Sequence, residues 1–79
     1  MDVDIVKKLI ETYSVEKLIE AEKDLIYGHP IKIKIEGDES QKLTHMLAAI
    51  WVLEKMKSFN VDFKQALLEY SKQVREVMH

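Results

Sequence analysis

"YGHPIKIKIEGDES", residues 27–40, alternates isoleucine with charged residues at period two, whereas the sequence on both sides repeats at helical spacing. Ile31, Ile33 and Ile35 fall on one face of an extended chain, with Lys32, Lys34 and Glu36 on the other, and Gly37-Asp38 ends the run. The pattern predicts a strand of about six residues set between helices. A lone strand leaves backbone donors and acceptors unpaired, so it requires a partner. Three are open: a second copy of the same segment across a two-fold axis, the alternating "DVDIV" of residues 2–6, or a strand of another protein. The helical stripe that continues through Leu9, Ile10 and Tyr13 makes residues 3–6 more useful as a first helical turn, which favours self-pairing. In an isologous antiparallel pair, centring on Ile33 sets Lys32 against Lys34, and centring on Lys34 sets that lysine against its own copy. Centring on Ile35 pairs Lys34 with Glu36 and is the preferred register.

Upstream of this segment, Val3, Val6, Leu9, Ile10 and Tyr13 recur at three- and four-residue intervals, predicting a first helix over residues 3–13. Asp2 and Asp4 stand where a helix N-terminus favours negative charge. Ser14 then reads as the N-cap of a second helix, with Glu16 in its first turn and Val15, Leu18, Ile19, Leu25 and Ile26 as its apolar stripe. It ends near Tyr27, because Gly28 suits the left-handed residue after a helix and Pro30 cannot continue one. Downstream, Asp38 and Gln41 have the form of a capping box opening a third helix over roughly residues 39–58, closed by Asn60. Asp62 and Gln65 repeat that pattern. Phe63, Ala66, Leu67, Tyr70, Val74 and Val77 carry a fourth helix to the C-terminus. The expectation is one mainly α domain over residues 1–79, in the order helix, helix, strand, helix, helix.

The third helix bears on assembly. At about 100° per residue its apolar side chains, from Leu43 and Met46 to Leu53 and Met56, occupy most of the circumference. Three shorter helices cover part of such a surface, and a second copy of the chain would cover more. The expected product is a homodimer joined through Ile31, Ile33 and Ile35 of the strand and through Met46, Ile50, Trp51 and Leu53 of the third helix.

Composition narrows the function classes. A 79-residue chain buries only about 60% of its unfolded surface, so oligomerisation is the natural means of adding stability. Its 47% apolar and 33% charged residues describe a globular protein. The absence of cysteine excludes disulfides, thiolate metal sites and thiol catalysis. The net charge of −2 combines seven acids against four bases over residues 1–28 with seven against eight over residues 29–79. No clustered basic face emerges, and the acidic second helix would repel phosphate if it served as a recognition helix, so nucleic-acid binding is the weakest reading. The longest apolar run, "MLAAIWVL" at residues 46–53, is too short to cross a bilayer. The acidic start "MDVDIVKK" lacks the features of a signal peptide, and a cytoplasmic location is expected.

No phosphate-binding glycine loop, His-Glu-x-x-His helix, calcium loop or nucleophile elbow is present. His45 falls on the helical face of Ala49, Val52 and Met56, which marks a packed histidine; its functional reading is a proton-sensitive switch at an interface. His29 and His79 lie far apart in sequence, and neither a metal site nor a cofactor is expected. Glu16, Glu20 and Asp24 form an acidic ridge that reads as solvated, with docking of a basic surface as its functional counterpart. The function expected from these features is that of a non-enzymatic homodimeric adaptor or regulatory protein with a possible protein partner. The alternative is a small ligand-binding or catalytic subunit with an interhelical pocket near His45 and Tyr70.

The segments "EKLIEAEKDLI", "EGDESQKLTHMLAAIWVLEKMK" and "VDFKQALLEYSKQVR" together resemble a family of small uncharacterised bacterial helical proteins. In that family an acidic helix, a helix ending in a similar "LEKMK" and a terminal "ALxxYxKxVR" helix recur. The resemblance spans most of the chain and rests on packing patterns. It implies a small helical domain and supplies no activity, cofactor or catalytic residue.

Overall fold

Each helix of the protein begins on a capping side chain visible in the sequence. The computed structural model describes residues 1–77, and the His79 considered above lies outside them. Helix α1 spans Val3–Thr12, α2 Val15–Ile26, α3 Glu39–Phe59 and α4 Phe63–Val77. Asp2 caps α1 by accepting from the Asp4 N–H at 2.9 Å, and Ser14 caps α2 by accepting from the Lys17 N–H. At the end of α2 the Gly28 N–H donates to the Leu25 carbonyl and the His29 N–H to the Asp24 carbonyl. These are the two bonds of a Schellman motif, with Gly28 at φ 76°. The α3 capping box is complete: Asp38 accepts from the Gln41 N–H at 2.8 Å, and the Gln41 side chain accepts from the Asp38 N–H at 3.0 Å. Asn60, at φ 52°, closes α3, and Asp62 accepts from the Gln65 N–H in the first turn of α4.

The expected strand does not form. Among the described residues there is no β-structure, and residues 29–36 run as irregular chain between α2 and the turn at Gly37. The alternation is nonetheless used. Ile33 is buried in the chain's own core, with Ile31 and Ile35 packed beside it, while Lys32, Lys34 and Glu36 are exposed. A half-buried extended segment needs alternating side chains whether its apolar face is covered by a sheet's other layer or by helices. Here α1, α2 and α3 supply the cover. The segment is held by side chains instead of a ladder: the Lys34 N–H donates to the Tyr13 hydroxyl at 3.0 Å, and Lys32 Nζ donates to Glu20 Oε1 at 3.0 Å. A dimer seam made of paired strands therefore has no strand to build on, and pairing with residues 2–6 is equally absent because residues 3–6 open α1.

Helix α3 is the hub, packing against α1, α2 and α4. Val6 and Leu9 from α1, Leu18 and Ala21 from α2, and Met46, Ala48 and Ala49 from α3 meet with Ile33 in one core. Ala48 and Ala49 carry nothing beyond Cβ, which lets neighbouring backbones come close. The molecule measures 32 × 29 × 19 Å, and its shortest dimension is two helix layers at about 10 Å each. With so few layers, a helix that is apolar on every side cannot be covered on every side. Among the described residues no helix is long and apolar enough to cross a membrane.

Candidate functional site

His45 sits in the second turn of α3 and is buried, with 7% of the residue exposed. Its Nε2 accepts the Asp2 backbone N–H at 2.9 Å, tying the start of α1 to α3 across 43 residues of sequence. An accepting Nε2 places the ring proton of a neutral imidazole on Nδ1. That Nδ1 is buried and has no hydrogen-bond partner among the described residues. With its only accepting nitrogen occupied by a backbone donor, His45 is arranged as a structural clasp and not as a free general base. Beside it, a broad cavity of about 820 Å³ opens between the beginnings of α1 and α3, bordered by Asp2, Glu36, Gln41 and Thr44. The Thr44 hydroxyl is engaged with the Ser40 carbonyl of its own helix.

Tyr70 does not border this cavity. Its ring lies 5.5 Å from that of Trp51, tilted by 55°, where α4 crosses α3. The cavity beside His45 thus does not include Tyr70, and the two residues make different contacts. Lys55 extends the aromatic cluster, with Nζ 4.1 Å from the centre of Phe59 and 5.4 Å from that of Trp51. Each such cation–π contact at an exposed site contributes about 0.5–1 kcal/mol.

The remaining side of α3 is open. At about 100° per residue, Leu43, Leu47, Ile50 and Glu54 share an arc of about 60°, opposite the buried face of His45, Ala49 and Val52. Leu47 is 43% exposed, and Leu43 and Ile50 are half-buried. Of the residues expected at a dimer interface, Met46 is fully buried and Ile33 nearly so, both within the chain's own core. Ile31, Ile35, Ile50, Trp51 and Leu53 retain surface. Leu43 and Leu47 belong to the open arc too; the sequence signal for them was their angle beside Glu54 and opposite the alanines. The Asp2 partner of His45 had no comparable signal, because the donor is backbone.

A second concavity, about 710 Å³, runs between α1 and the extended segment. Ile5, Leu9, Ile31 and Ile35 contribute its apolar side, and Lys8, Lys34 and Lys42 border it from α1, the extended segment and α3. The acidic ridge on α2 is partly engaged within the chain. Lys32 holds the Glu20 carboxyl below the usual carboxylate range, first by its hydrogen bond and then by its charge, and Glu20 raises Lys32 in return. Asp24 lies 3.9 Å from His29. No cluster of three His, Asp or Glu side chains suited to a metal ion occurs among the described residues.

Comparison with known proteins finds that the model of a family of unknown function (DUF6952) matches residues 1–79. Neither the curated proteins nor the solved structures contain a match to the chain.

Proposed function

Starting from a chain that belongs to this family of unknown function, we propose that it is a non-catalytic interaction module that pairs with a second copy of itself through the outer face of α3. The observation that supports the reading is the mismatch between α3 and its cover. The helix is apolar around most of its circumference, α1, α2 and α4 take three sides, and on the fourth Leu47 is exposed while Leu43 and Ile50 are half-buried, Ile50 resting partly on the chain's own core. In water such a side contributes about 25 cal/mol for each Å² of apolar surface withdrawn on association. Trp51 stands half-buried beside the same face, and tryptophan is among the residue types enriched at interface hot spots. The paired module would present its remaining surfaces in duplicate, which suits an adaptor or regulatory subunit.

Light scattering over a concentration series tests the reading. A dimer should show twice the 9.3 kDa chain mass at micromolar concentration. Leu47→Glu should return it to the monomer with its helical circular-dichroism spectrum intact, because Leu47 contributes little to the intrachain core, and should remove the concentration dependence of the melting temperature. A constant 9.3 kDa mass for the wild-type protein at several hundred micromolar overturns the proposal.

A further inference from the structure

We propose that the concavity between α1 and the extended segment binds a free medium-chain carboxylic acid in its anionic form, with the alkyl chain along the isoleucines and the carboxylate among the lysines. Its volume of about 710 Å³ lies within the range of about 300–1,000 Å³ typical of small-molecule sites. Ile31, Ile33 and Ile35 border one side from the irregular segment. Ile5 and Leu9, one helical turn apart on α1, stand on the other side. The apolar walls therefore flank the groove on both sides, as an alkyl chain lying along it requires.

Charge selects the head group. Lys8, Lys34 and Lys42 reach the rim from three separate elements, and none has a carboxylate within 4.0 Å among the described residues. Asp4 and Glu36 stand at the same rim, so three cations face two anions and one added carboxylate balances them. A neutral apolar occupant would strip water from the lysines without replacing it, which is unfavourable. A second copy of the same face would set lysine against lysine. Two further features suit the site to a ligand: the Tyr13 hydroxyl, which borders the groove, holds the Lys34 N–H, and Lys32 is fastened to Glu20, so the wall carrying Ile31 and Ile35 is anchored in advance.

The site lies apart from the outer face of α3, and its test is independent of self-association. Dodecanoate, held below its micelle concentration, is titrated into the isotope-labelled full chain, with decanoate and dodecyltrimethylammonium as comparisons. The methyl signals of Ile5, Ile31 and Ile35 and the Lys34 amide should shift together to saturation with dodecanoate. Each methylene removed should weaken binding by about fourfold, so decanoate should bind about fifteenfold less tightly. The cationic analogue should leave these signals unmoved. Lys8→Gln combined with Lys34→Gln, both exposed positions, should weaken dodecanoate binding at least tenfold while the melting temperature stays unchanged. The proposal is overturned by an absence of saturable shifts in the groove, by equal binding of the cationic analogue, by shifts centred on Leu47 instead, or by undiminished affinity in the double variant.

Discussion

Replacing Ile33 with alanine asks whether the extended segment belongs to the monomer's own core. Ile33 is 7% exposed, whereas Ile31 and Ile35 on the same side of the segment are only half-buried. Truncation to alanine at a core position costs about 2–5 kcal/mol, set by the lost transfer energy of the removed carbons and by the cavity they leave. Ile33 lies in irregular chain with no ladder to hold it rigid, so the segment can settle partly into the vacancy and the lower end applies, about 2 kcal/mol. For a domain of this size that corresponds to a fall in melting temperature of about 8–16 °C. Ile31→Ala and Ile35→Ala should each cost about half as much. The assay is thermal and denaturant unfolding by circular dichroism at several protein concentrations. The cost at Ile33 should not depend on concentration, since it arises within one chain. If Ile33→Ala lay within 0.5 kcal/mol of wild type, or if its penalty appeared only where the protein associates, the intrachain account of this segment would be wrong.

Two further outcomes follow from contacts that cross elements. His45→Ala should destabilise the fold by about 1–3 kcal/mol through the vacated volume and the lost acceptor for the Asp2 N–H, read as a shift in the urea midpoint; an unchanged midpoint would show that the clasp contributes nothing. Because Lys32 lowers the Glu20 pKa and Glu20 raises that of Lys32, the pair's contribution is present at neutral pH, fades as pH falls through the lowered carboxyl value, and fades again as pH rises through the raised ammonium value. Unfolding midpoints of wild type and Glu20→Gln should accordingly differ slightly at neutral pH and low salt, and converge in strong acid or at high salt; a difference that persisted in both conditions would exclude an ionic origin.

The helices were legible because their ends are decided locally. Ser14, Asp38 with Gln41, Asp62 and Asn60 all act within one turn of chain, and all cap the ends their positions suggest. The helices expected at residues 3–13 and 39–58 differ from those observed by one residue at the C-terminal end. Packing of His45 was legible for the same kind of reason, since its angle on α3 follows from the positions of Ala49 and Val52. What failed was a pairing decision. Period two reports an extended backbone with one side covered, and it carries no information on whether the backbone groups themselves are paired. The bonds that hold residues 31–36 come instead from Tyr13 and Glu20, at separations of 21 and 12 residues, and neither partner's side chain announces such a role.

That mistaken pairing also explains why the groove escaped the sequence reading. A strand in a sheet uses both backbone edges, and its neighbours fill the space alongside. A segment fastened by one hydroxyl and one ion pair leaves a side open against α1. Lys8, Lys34 and Lys42, scattered over three elements in sequence, converge only because Ile33 draws the segment down onto the core between α1 and α3. Ile33 is then both a stability residue and the floor that positions the rim. Its truncation should loosen the Lys34 amide from Tyr13 and widen the channel, linking the cost measured by unfolding to the binding read at the groove.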